Sequence, residues 1–229
     1  MTLDLNILTE FFASNYFEEF SKNYTLKENQ RNPNNLSNVN IITSGHGFFI
    51  QSKFLCDCLS IYRKIDDNLS FRDNNDGTFV LEKNGKQYII YIEMKSGYGA
   101  VKKKAIRQIP VSAIKIKSFL RNFQAFNLQD YTELGLIISY PPTEDDKYDS
   151  GNNAMVIDHK LSYMAVQRGN EDAIDKELRQ NRKVCLKAEH FPKLLQEKLH
   201  EDIRFRSMMV YHCPVNGNND TVDLDEILH

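Results

Sequence analysis

Two strand-like runs, TFVLEK at residues 78–83 and KQYIIYIEMK at residues 86–95, are separated only by Asn84-Gly85. That dipeptide between β-forming runs is the strongest short-range signal for a two-residue type I′ turn, whose central positions both need a positive φ. A turn of this kind sets the pairing of everything beyond it. Lys83 faces Lys86, Val80 faces Ile89 and, without a bulge, Asp76 faces Glu93, each pair of numbers summing to 169 as 84 and 85 do. The chain is thereby committed to an antiparallel hairpin that ends in charged residues.

The second run closes in Glu93-Met94-Lys95, and residues two apart on a strand share a face. Directly opposed residues have Cβ atoms roughly 4.5–5.5 Å apart, so carboxylates at 76 and 93 repel each other unless a cation lies between them. A divalent metal meets that need, and Mg²⁺ favours one or two carboxylates completed by waters and a substrate phosphate. The same residues have a plain structural reading, a half-exposed ion pair at a strand end. Asp73-Asn74-Asn75-Asp76-Gly77 is likewise a composition in which Asp serves local turns.

Asp76, the hairpin and the string Ile92-Glu93-Met94-Lys95-Ser96-Gly97 resemble the PD-(D/E)xK nuclease superfamily, which includes restriction endonucleases and Holliday-junction resolvases. A helical segment before, a long basic helical segment after and the apolar run ELGLIISY at residues 133–140 are similar in order to that family's αβββαβ core, over roughly residues 1–141. The resemblance implies an α/β fold, a restriction endonuclease-like mixed sheet flanked by helices, with residues 142–229 as a C-terminal α/β elaboration of one domain. It implies a Mg²⁺-dependent endonuclease, with Mn²⁺ able to substitute, in which Asp76 and Glu93 hold the metal and Lys95 assists the attack of water on a phosphodiester. The chain departs from the pattern at the first motif, where Asn75 stands in place of Pro. A rival first acidic residue is Asp57 in FLCDCLSIY, a segment whose apolar residues suit a strand or a helix equally. The hairpin register favours Asp76. Gln108 resembles the glutamine some members carry on the helix after the Glu-x-Lys strand, and Glu10 resembles an extra acidic residue on the first helix.

Residues 95–129 carry eight Lys or Arg and no Asp or Glu, so this stretch is +8 and the remainder is −10 in a chain of net charge −2. Like charges clustered on one helical region repel at i, i+4 spacing, and an anionic partner explains their accumulation. Lys102, Lys103, Lys104 and Arg107 are the candidate contacts to a nucleic-acid backbone, DNA ahead of RNA. Ala105, Ile106, Ile109, Ala113, Ile116 and Leu120 recur at helical spacing and predict a helix packed on the sheet, kinked or divided at Pro110. A catalytically inactive nuclease-like module that binds nucleic acid or protein would carry the same basic segment.

With 229 residues, 41% of them hydrophobic, the chain can bury one substantial core. Leu5, Leu8, Phe12, Tyr16 and Phe20 predict an amphipathic first helix, and the Asn-rich residues 29–40 predict a loop. No apolar run reaches the ~18 residues of a membrane span, and the N-terminus carries acid where a secretory signal carries base, so cytoplasmic residence is the expectation. Cys56, Cys58, Cys185 and Cys213 lack the spacing of a zinc site or a disulfide framework, and His190, His200 and His212 read as structural. Restriction, phage defence and repair are the settings the resemblance suggests, and a homodimer or a partner protein is left open.

Overall fold

The computed structural model describes residues 5–27, 35–58, 74–143, 168–191 and 199–228, except the side chains of residues 100, 102, 103 and 168–172. In chain order the regular elements are α1 (Leu5–Phe11), β1 (Phe17–Lys27), β2 (Asn38–Gln51), α2 (Ser52–Asp57), β3 (Gly77–Lys83) and β4 (Lys86–Lys95). A helical turn α3 (Tyr98–Ala100) leads through a π-helical segment, Val101–Ala105, into α4 (Ile106–Leu120). Then come β5 (Tyr131–Ser139), α5 (Arg168–Asn181), β6 (Lys183–Lys187), β7 (Ser207–Pro214) and β8 (Thr221–Asp223).

The hairpin is the centre of an eight-stranded mixed sheet of order β1-β2-β3-β4-β5-β7-β6, with β8 pairing the far end of β2. Asn84 and Gly85 have φ of 53° and 76°, the signature of the type I′ turn, and the β3–β4 pairs run from Lys83↔Lys86 to Gly77↔Ile92 in the register the turn dictates. β1 through β4 pair antiparallel with one another in chain order, while β8 pairs parallel with β2. β4, β5 and β7 are mutually parallel, and α4 spans the first crossover. Their carboxyl ends lie in one row, with Lys95 beside Ser139 and Ser139 beside Pro214.

Both faces of the central strands are covered, so β4 is apolar in continuous sequence and not only at alternate positions. Ile89 and Tyr91 face a cluster with Ile106, Ile109, Ala113 and Ile116 of α4 and Ile174 and Leu178 of α5. Tyr88, Ile90, Ile92 and Met94 face a second cluster closed by Val39, Ile41, Val222, Leu224 and Leu228. The C-terminal residues therefore complete the same sheet and core. α4 approaches the sheet closely at Gly135, where a Cβ would lie 2.7 Å from Val210 Cγ2 and 3.0 Å from Ile109 Cγ2.

Three expectations are corrected. The first helix ends at Phe11, and Phe17–Lys27 is an edge strand, because the 14-residue β2 offers a pairing partner along its length. β2 begins at Asn38, inside the expected Asn-rich loop, so four antiparallel strands precede the crossover. Pro110 neither ends nor divides α4; the helix changes character at 105/106, where π-helical winding gives way to α-helix one turn before the proline. Residues 192–200, PKLLQEKLH, whose sequence predicts a helix, lie largely outside the described residues, as does most of the polar, acidic stretch 141–153, whose sequence predicts a surface loop.

Candidate functional site

Glu93 and Lys95 project from the carboxyl end of β4 on the α4 side of the sheet, as period-2 alternation places Ile89, Tyr91, Glu93 and Lys95 on one face. Glu93 is fully buried, and Lys95 Nζ donates to its Oε1 in a close ion pair. The turn that follows is fastened by Ser96, whose Oγ accepts the Leu36 amide at 2.9 Å.

Asp76 stands one residue beyond the last β3–β4 pair, Gly77↔Ile92, and the paired ladder stops short of the Asp76↔Glu93 pair that an unbroken register requires. Its amide donates to Ile92 O at 2.9 Å, and its Oδ2 accepts the Met94 amide at 2.6 Å. The carboxylate thus continues the ladder where β3 has no further carbonyl to offer. Gly77 makes this possible, since a Cβ there would fall within 1.9 Å of Phe49 Cζ. Asn75 is buried, and its Nδ2 donates to Gly77 O and to Thr78 Oγ1.

The loop before Asp76 is held by α4. Gln108 Nε2 donates to Asn74 O at 2.9 Å, Ser112 Oγ accepts the Asn75 amide at 2.8 Å, and Lys115 Nζ donates to Asn74 Oδ1 at 2.6 Å. Of these contacts the sequence pointed only to Gln108, through the resemblance. Lys115 counted toward a basic surface, and Ser112 carries no signal in sequence at all.

The other first-acid candidate, Asp57, lies on the last turn of α2, so the helical reading of its segment holds as far as the segment is described. It is exposed and accepts from Tyr16 Oη at 3.1 Å. Glu10 is exposed on α1. The structure therefore brings Asp76, Glu93, Lys95 and Gln108 to one end of β4 and α4. Asp57 takes its described hydrogen bond from α1's neighbour Tyr16 instead.

The basic run is not one surface. Lys115 and Lys117 are buried; Lys117 Nζ lies 3.0 Å from Glu133 Oε1, whose Oε2 accepts from Tyr91 Oη. Arg121, at the far end of α4, pairs with Asp202 at 3.4 Å. Lys104 is exposed on the π-helical segment and Arg107 is half-buried, whereas the side chains of Lys102 and Lys103 lie outside those described. A pocket of about 490 Å³ opens near Lys117, Arg121, Glu133 and Arg204, at the amino end of β5 and so at the opposite end of the sheet from Glu93.

Beside the Glu93–Lys95 end sits a second polar group. His212 on β7 is buried, its Nε2 lies 2.9 Å from Ser139 Oγ, and Tyr98 packs edge-on against its ring. Burial, then the nearby Arg182 and Arg179, hold the His212 pKa down to about 4. Arg179 caps the outer face of Tyr98 at 4.3 Å and is held by Asp175 at 3.0 Å.

Asp76 and Glu93, both at this end of β4, offer hard oxygen donors of the kind Mg²⁺ takes, since it needs one or two carboxylates and accepts water and phosphate for the rest. Among the described residues no group of three or more His, Cys, Asp or Glu could hold a metal. No helix of the described residues is long and apolar enough to cross a membrane. Compared with family models, curated proteins and solved structures, the chain matches none.

Proposed function

We propose that the chain is a Mg²⁺-dependent nuclease that hydrolyses phosphodiester bonds, DNA ahead of RNA, on a restriction endonuclease-like core. The observation that carries this is the buried Glu93 in contact with Lys95 at the carboxyl end of β4, with the Asp76 carboxylate fastened to the Met94 amide of the same strand. Open α/β sheets bind ligands outside the carboxyl ends of their strands, which is where these three residues lie. Asp76 and Glu93 would hold the metal. A bound Mg²⁺ lowers the pKa of a water and offsets charge on the departing oxygen. Glu93 keeps the Lys95 ammonium at the end of β4, where it can orient a water and stabilise negative charge gathering on the phosphoryl oxygens. Lys104 and Arg107, close after in the chain, supply cations for the backbone on either side. A cytoplasmic setting belongs to the same proposal.

A second reading is favoured by one observation: the Asp76 carboxylate already serves the Met94 amide, a sufficient structural reason for an acid at that position. On that reading the chain is a non-catalytic module that binds nucleic acid or protein. Incubation of plasmid, single-stranded DNA and RNA with the protein in Mg²⁺, Mn²⁺ or EDTA separates the two. Metal-dependent cleavage by the wild type should fall by about three powers of ten or more in Glu93→Gln and in Lys95→Ala, with melting behaviour checked in parallel. Cleavage that survives EDTA or either substitution removes the proposed centre, and binding without cleavage selects the module.

A further inference from the structure

We propose that Ser112 and Lys115 are positioning residues, which hold the 74–76 loop so that the Asp76 carboxylate is presented at the end of β4; this rests on the reading of Asp76 as a metal-holding acid. With Gln108 they fall at i, i+4 and i+7 on α4, one stripe of one face. That stripe is polar in a helix whose other sheet-facing residues are Ile106, Ile109, Ala113 and Ile116. Ser112 is 0% and Lys115 2% exposed, and lysine is almost never buried to that degree without a partner. Their described hydrogen bonds reach two consecutive loop residues, Asn75 through its amide and Asn74 through its Oδ1.

Each residue of the loop is tethered differently. Asn74 is bound to α4 by backbone and side chain, Asn75 to α4 by its amide and to β3 by its side chain, and Asp76 to β4 by both its amide and its carboxylate. Three fastened residues in a row leave Asp76 almost no rotational freedom. Residues that merely led into β3 would not need a buried ammonium to hold them. A preorganised carboxylate does, since metal-holding acids depend on neighbours that fix their orientation.

The positional role has an electrostatic opposite. Lys115 is a buried cation bound to Asn74, two residues before Asp76 in the chain, so by charge alone its removal would strengthen cation binding. By positioning, its removal weakens cation binding. The sign decides between them.

The Met94 amide reports the placement of Asp76 directly and without metal, because it donates to Asp76 Oδ2. In metal-free protein, Ser112→Ala and Lys115→Met should each raise hydrogen exchange at Met94 about tenfold while the Phe79 and Ile89 amides of the ladder stay protected. Mn²⁺ affinity by calorimetry should fall by about tenfold or more in both variants, alongside Asp76→Asn as reference. Unchanged exchange at Met94, a uniform rise at all ladder amides, or Mn²⁺ affinity that holds or tightens while Asp76→Asn loses it overturns the positioning role and leaves the proposed centre intact. Wild-type affinity in Asp76→Asn overturns the centre, and the inference with it. Should Lys115→Met not fold, Ser112→Ala, which removes one hydroxyl, decides alone.

Discussion

His212 shows how a single residue is tuned by what surrounds it. Ser139 has one hydroxyl proton and donates it to Tyr140 O at 2.8 Å, so the 2.9 Å contact to His212 has the imidazole Nε2–H as donor, as in the neutral Nε2–H tautomer. Burial and the two arginines favour the same neutral form. Its folded pKa of about 4 lies below the ordinary 6.5, so between those values the unfolded chain binds the extra proton and stability rises with pH. Acidification through that window should cost up to about 3 kcal/mol from this residue. Urea melts of wild type and His212→Gln at pH 7, 5.5 and 4.5 check it: the variant loses less stability on acidification, and parallel losses would show that His212 contributes nothing. Glu93 and Lys95 were legible at this scale because a strand end and a two-residue spacing are local facts. Ser112 was not, because nothing in a helix interior distinguishes a serine that grips a loop from one that does not.

At the scale of elements, the β3–β4 hairpin is specified by its turn, and the loop before it by close packing. Gly77→Ala should destabilise the protein by about 1–3 kcal/mol, as overpacked core positions do, because Phe49 must move to admit the methyl group. It should also displace Asp76, so Mn²⁺ affinity falls with stability; thermal melts and calorimetry on the same variant report both, and a loss of neither contradicts the close approach of Phe49. The helix α4 was legible from its 3.6-residue apolar period, and its continuity past Pro110 was not. A proline in the first turns removes only one intrahelical donor, and the π-helical segment ahead of it takes up the misfit.

For the whole molecule, the charge along residues 95–129 is divided between two ends of the sheet and the core. Lys117 neutralises Glu133 inside, and Arg121 meets Asp202 at the amino end of β5, while Lys104 stays exposed near the Glu93 end. If Lys102, Lys103, Lys104 and Arg107 all contact phosphates of a duplex, log affinity should fall with log salt at a slope of about −3.6. In a Glu93→Ala background, Lys104→Ala with Arg107→Ala should make that slope shallower by about 2, whereas Arg121→Ala should leave it unchanged. Fluorescence anisotropy across a salt series reads the slope, and an equal change from Arg121→Ala would place the bound strand elsewhere.

The sequence alone determined the β3–β4 register from Lys83↔Lys86 to Gly77↔Ile92, the place of Glu93 and Lys95 at the end of β4, the existence of α4 and the apolar run that becomes β5. Each follows from chemistry within a few residues: a turn that needs two positive φ values, side chains alternating across a strand, an apolar stripe repeating along a helix. Tertiary structure alone decided that Phe17–Lys27 is a strand, that Asp76 caps the ladder and Asp57 does not, and that Lys115 and Lys117 turn inward. These depend on partners far along the chain, β2 for the edge strand, β4 for Asp76, Asn74 and Glu133 for the two lysines. A charge on a helix is the same letter whether it faces solvent or a buried acceptor, and only the packing of distant segments creates that acceptor.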